Sequence, residues 1–388
     1  MDPTLHFDRR IRPGAHPVTT TPSKTIREAH LSNEQLTAFA AELDQLRAEQ
    51  VSTYGDRDAK HIRRMQRRAQ GSAIVGRSLL MFGWDPISWV LGVIALAHAK
   101  ILENMEIGHN VMHGQYDWMN DPTLNSRTYD WDIVCDKEHW KHSHNVEHHD
   151  HTNILGRDHD YGYGMLRLTA EQRWNPATLL QPVWYALLAL YFQWGVAVHD
   201  VKFGRFLLGR MSRAELRQRS MPFFRKAGRQ LFKDYVFFPL LAFWQWPRVL
   251  LGNLVANGIR NLWTNAIIFC GHFTEDARVF TRAEAKGETR GHWYLRQIRG
   301  SSNLEGSRWF HVMTGHLSHQ IEHHLFPDIP ALRYPEVAPR VREICSRYGV
   351  HYNTGGFWRQ YATVLKRIVV HAWPTRPARR NGPESVAV

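Results

Sequence analysis

The chain has 388 residues, 43% of them hydrophobic, and a formal net charge of +13 with histidine counted as neutral. Such a length allows a sizeable core, but the basic excess is not that of an ordinary compact soluble domain and calls for an acidic counterpart: nucleic acid, anionic headgroups or a phosphate-bearing substrate. The three cysteines, Cys135, Cys270 and Cys345, are far apart and form no Cys-x-x-Cys pair, which argues against a disulfide framework and a thiolate zinc site and for a reducing compartment.

Taken in chain order, Met1 to Arg12 mixes charged and polar residues, which argues against a cleaved secretory signal and places this end in the cytoplasm. Residues 1–25 read as a flexible arm. A helix is predicted from Ser32, with Gln35 closing a capping box, and Leu36, Phe39, Ala40, Leu43 and Leu46 recur at helical spacing as a core-facing or interfacial stripe. A basic run at 60–68 leads into apolar zones at 73–84, 87–102, 178–198, 235–246 and 249–270. Most are shorter than the roughly 20 residues of a freely spanning helix. Asp85-Pro86 and Trp246-Pro247 are turn signals between successive zones, so two helical hairpins are predicted, dipping into a bilayer and returning, for four crossings. The stretch 201–233 holds ten Lys or Arg residues and reads as a cytoplasmic loop; 178–198 then starts and ends on one face, as an interfacial or re-entrant helix. The tail 376–388 reads as disordered.

Histidines crowd three short stretches. His109 and His113 end the first hairpin four residues apart and share a helix face. His144 and His148 repeat that spacing, and His149 projects about 100° away from His148. His319, His323 and His324 form a third group, and His272 follows the second hairpin. An i, i+4 pair can grip one metal while the adjacent, rotated histidine reaches another, so two metals are expected. Neutral imidazole suits Fe, Zn, Cu or Ni, and a nitrogen-rich set with few cysteines argues against an iron–sulfur cluster or structural zinc. His139, His142, His151, His159, His199, His292 and His311 read as orienting, structural or exposed residues.

With Trp-Lys-His-Ser-His-Asn-Val-Glu-His-His at 140–149, Thr152-Asn153 and Gln-Ile-Glu-His-His-Leu-Phe-Pro at 320–327, the chain resembles the membrane fatty-acid desaturases, over about residues 60–355. The stretch 103–114, Glu-Asn-Met-Glu-Ile-Gly-His-Asn-Val-Met-His-Gly, is most similar to the actinobacterial acyl-CoA Δ9 (stearoyl-CoA) branch. The resemblance implies iron ligation by His109, His113, His144, His148, His149, His272, His323 and His324. The family's third box opens with His or Gln; Gln320 stands there with His319 just before it, and His319 is the favoured ligand. Asn265, on the helix before His272, is implied as a holder of a water ligand.

The expectation that follows is an all-α integral membrane protein, its two transmembrane hairpins joined to a cytoplasmic helical domain that carries a di-iron site. Its parts would be an arm and amphipathic helix (1–70), a desaturase domain (71–355), and a C-terminal helix with a basic tail (356–388). It would sit in the cell membrane as a multi-pass protein with its catalytic face cytoplasmic, use two iron ions and O2, and act on a fatty acyl thioester. No His-Pro-Gly-Gly haem signature precedes the first apolar zone, so electrons would come from a separate NAD(P)H-dependent reductase or ferredoxin-like donor. The basic stretch 201–233 would meet membrane lipid headgroups, the CoA phosphates or acidic groups of that donor, and no nucleic-acid partner is expected. The alternatives are a hydroxylase on the same scaffold and, remotely, a histidine-rich membrane metal transporter.

Overall fold

A computed structural model describes residues 31–375; the predicted arm at 1–25 and tail at 376–388 lie outside them. The described chain is mainly helical, with connecting loops and two three-residue parallel strands, β1 (Asn303–Glu305) and β2 (Thr354–Gly356).

Helix α1 (Asn33–Val51) begins as its sequence dictates. The Ser32 hydroxyl accepts from the Gln35 backbone N–H at 3.2 Å, and the Gln35 side chain accepts from the Ser32 N–H at 2.8 Å. Its five-residue apolar stripe is entirely buried. That stripe packs with Tyr294, Leu295 and Ile298, with Ile321 and Leu325, and with Val337, Val341 and Ile344. These belong to α9 (Arg290–Arg299), α10 (Gln320–Leu325) and α11 (Tyr334–Arg347), so the first helix closes one side of the third histidine box.

The basic run and the first apolar zone form one helix, α2 (Asp56–Phe82), which turns at Asp85 and returns as α3 (Pro86–Met112). Asp85 caps α3 and Pro86 fills its first turn, where a missing N–H costs nothing. The pair approaches closely because Gly76 has no side chain: a Cβ there would lie 2.6 Å from the Leu96 backbone nitrogen. Short helices α4 (137–151), α5 (Pro176–Leu190) and α6 (Phe192–Val201) follow. A second antiparallel pair consists of α7 (213–241) and α8 (Trp246–His272), with Pro247 in the first turn of α8. A C-terminal helix, α12 (Phe357–Ala372), packs against α8 and α5 through Val364 and Ile368.

One expectation needs correction. The basic stretch 201–233 is not a loop: Ser212 caps α7 by accepting from the Glu215 N–H, and helix-forming Arg, Leu, Gln and Lys carry the winding onward. Although two helical hairpins are present, only α3 is long and apolar enough to cross a membrane among the described residues.

The hairpins are tied together by charge. Lys100 on α3 donates to Asp234 on α7 at 2.7 Å, Arg77 on α2 reaches the same carboxylate at 3.2 Å, and Asn253 on α8 donates to the Asp234 carbonyl at 2.8 Å. Lys100 and Asp234 are buried; removing Asp234 strips the buried ammonium of its nearest carboxylate, at a cost of about 3–5 kcal/mol, whereas without Lys100 the carboxylate keeps Arg77. At their far ends the hairpins turn apolar side chains outward: Ile74, Phe82, Trp84, Ile87, Leu91 and Ile94 on one, Leu240, Phe243, Trp246, Leu251 and Leu254 on the other.

Candidate metal centre

The histidine boxes converge at the opposite ends of the hairpins. In the first box the α-winding of α3 widens to a π-helix over Leu102–His109 before resuming at Asn110–Met112. The second box does the same: α4 is π-helical over Lys141–His148 and α-helical over His149–His151. Such wide turns occur mostly as single insertions at functional sites. The third box is the six-residue α10. Asn303 on β1 holds it, accepting from the Ile321 N–H at 2.9 Å and donating to Glu322 at 2.8 Å. Ile321 and Leu325 face the core under α1, while His323 and His324 face the other boxes.

Eight of the nine predicted ligands come together. Nitrogens of His109, His113, His144 and His323 lie within 4.8 Å of one another, as do those of His148, His272 and His324, and those of His149, His323 and His324. In the second set the Nε2 atoms of His148 and His324 stand 3.3 and 3.1 Å from Nε2 of His272. Imidazole nitrogens bound to one ion at about 2.0–2.1 Å sit about 3.0–3.4 Å apart, so the spacing is that of a shared coordination sphere. Neutral lone pairs at that separation repel unless a cation lies between them. Buried Nε2 atoms of His113, His144, His149 and His323 likewise have no protein partner, the condition expected of nitrogens that face an ion.

On five of the rings the opposite nitrogen is occupied. His148 Nδ1 lies 2.9 Å from Asp158, His144 Nδ1 3.0 Å from Asp160, and His324 Nδ1 3.0 Å from the Gln297 carbonyl oxygen. His109 Nδ1 is 3.2 Å from Asn110, and His272 Nδ1 3.4 Å from the Gly300 carbonyl. Acceptors at Nδ1 fix the proton there and aim the Nε2 lone pair inward. Burial, then mutual repulsion, holds His144, His149, His323 and His324 well below the ordinary imidazole range, which keeps them neutral and able to donate to metal. His148 moves the other way: burial opposes its charge, but the Asp158 carboxylate outweighs it. These residues can hold two metal ions side by side.

His319 is the exception. Winding switches from 3-10 over Leu317–His319 to α at Gln320, and at that break the His319 backbone sits at φ −109°, ψ 56°. Its ring lies against His311, centroids 4.6 Å apart. The Gln320 amide instead lies 3.0 Å from His272 Nε2, so the third box meets the cluster through Gln320, His323 and His324. Asn265 is buried on α8, and neither amide atom has a partner.

Sequence reasoning missed the orienting set. Asp158 and Asp160 were visible only as a closely spaced carboxylate pair after the second box, and Gln297 carries no motif at all. Beside the histidines runs a narrow cavity walled by Met105, Trp131, Trp140, Phe192, Ile268 and Leu317, with His109, His144, His148 and His272 along one side. Trp140 stacks on His144, ring centres 4.5 Å apart.

Comparison with known proteins agrees with this geometry. The family described as fatty acid desaturase matches residues 86–356. An NADPH-dependent stearoyl-CoA 9-desaturase of Mycobacterium tuberculosis (strain CDC 1551 / Oshkosh) is 45% identical over 361 residues, covering 92% of this chain and 84% of that protein. An sn-1 linoleoyl-lipid 6-desaturase of Synechocystis sp. (strain ATCC 27184 / PCC 6803 / Kazusa) is 28% identical over 68% of this chain and 74% of its own length.

Proposed function

Because this chain belongs to the fatty acid desaturase family, we propose that it desaturates a long-chain acyl-CoA at the Δ9 position, using O2 and two irons. The ligands assigned are His109, His113, His144, His148, His149, His272, His323 and His324. The observation that carries this reading is the convergence of their inward lone pairs beside an apolar cavity. When bound, the iron pair supplies an O2-derived oxidant strong enough to take two hydrogens from neighbouring methylenes, chemistry no side chain here provides.

The residues do the rest. Met105, Trp131, Phe192, Ile268 and Leu317 give an acyl chain apolar walls and exclude water from the reacting segment. Asp158, Asp160 and Gln297 keep the rings aimed, so that metals and chain stay in register. The catalytic unit is assigned to residues 71–355.

We place both hairpins in the cell membrane, four crossings in all, with the histidine end on the cytoplasmic side. Supporting this are the exposed apolar residues at the hairpin ends, a patch that a soluble monomer would not carry. The basic residues of α7 then face anionic headgroups. Electrons come from a separate NAD(P)H-dependent reductase or ferredoxin-like protein docking on that face; the 45% identical relative is named as NADPH-dependent.

Expression with a matched reductase in a desaturase-null host tests the reading. New monounsaturated acyl chains, lighter by two hydrogens, are expected. A product that instead gains one oxygen would show the hydroxylase outcome, and an unchanged lipid profile with iron bound would refute desaturation.

A further inference from the structure

A third cluster of metal-ligating groups lies outside the double centre. His61 on α2, Glu106 on α3 and His316 in the turn before α10 bring one ligand atom each within 4.8 Å of the others. His61 Nε2 is 2.6 Å from one Glu106 carboxylate oxygen, and His316 Nδ1 is 2.9 Å from the other. Glu106 is fully buried. A carboxylate that deep requires compensation by charge or coordination.

Three features make this more than a hydrogen-bonded trio. His316 takes the left-handed conformation at φ 57°, uncommon for a residue with a Cβ and typical of positions whose side-chain placement is imposed by surroundings. Two imidazoles and one carboxylate form a donor set that holds a divalent first-row ion and leaves positions open. The His61 side chain keeps about a tenth of its surface exposed, so an ion has a way in.

We propose that His61, Glu106 and His316 form a third, structural metal site for a divalent transition ion such as Zn2+. The site clasps α2, α3 and the turn leading into the third histidine box. Asn110 connects it to the double centre: its amide donates to the Glu106 and Gly315 carbonyls at 2.9 and 3.3 Å, and its oxygen meets His109 Nδ1.

The test is metal content by elemental mass spectrometry on the purified, iron-loaded full chain after equilibration with Zn2+ alone and removal of excess. One zinc per chain beyond the irons is expected in the natural protein. None is expected in His61→Ala, nor in His61→Asn, which keeps a hydrogen-bonding amide but no imidazole; both variants should retain iron and desaturation. Zinc binding unchanged in both variants, or absent from the natural protein, overturns the proposal. Iron is counted in the same samples, so a preparation that binds zinc through His61 but never holds iron would uphold this site while sinking the di-iron reading.

Discussion

The two ends of the hairpins solve opposite problems with the same helices. At the apolar ends, Gly76, Leu80, Val93, Leu96 and Val249 pack into a small core, and large side chains such as Trp84, Leu91 and Trp246 point outward. At the histidine ends the rings of His109, His113, His148, His149, His323 and His324 are buried, and buried Asp158 and Gln297 stand behind them. One end is specified mostly by apolar composition, the other by individual atoms.

The largest expected effect therefore lies at the histidine end. His148→Ala or His323→Ala should abolish new double bonds and lower bound iron while the protein still inserts; full activity in either would break the contrast and the ligand assignment together. At the apolar end, Leu91→Asp should cost about 3–4 kcal/mol of insertion free energy, the difference between a leucine and an aspartate at the centre of a spanning helix. A glycosylation-mapping insertion assay reads this directly, and an undiminished inserted fraction would place Leu91 outside lipid. Asp158→Asn should leave the ring in place but weaken its orientation, reducing iron affinity or turnover about 10- to 100-fold. A variant with unaltered iron retention and rate would show that Asp158 does not orient His148. Smallest of all, Ser32→Ala removes only the cap of α1 and should cost about 1 kcal/mol of stability, read as a modest fall in melting temperature with activity per folded molecule unchanged.

The same contrast explains what was legible in the sequence. Local rules operate where a signal is local: the Ser32–Gln35 capping box, the buried stripe of α1 and the breaks at Asp85-Pro86 and Trp246-Pro247 all stand where the residues placed them. The histidine boxes were legible because their spacing is a chemical pattern. The π-helical turns were not, since no residue type marks an inserted position and the demand for it comes from rings on other elements. For the same reason the preference for His319 over Gln320 went the wrong way in space: adjacent residues at a change of winding point to different sides, and sequence does not say where the change falls. Helix α7 was hidden by its charge, which says nothing about backbone conformation. Asp234, Glu106 and His316 become meaningful only once distant segments meet.

The wide turns in α3 and α4 have one more consequence. A continuous α-helix locks the phase of its two ends, so a face chosen at Asp85 would dictate the heading of every later side chain. One surplus residue within Leu102–His109 breaks that lock: the outer half keeps time with its apolar surroundings, and the inner half keeps time with the other histidine boxes. Deleting that residue would leave the outer face untouched and turn His109 and His113 away from their partners.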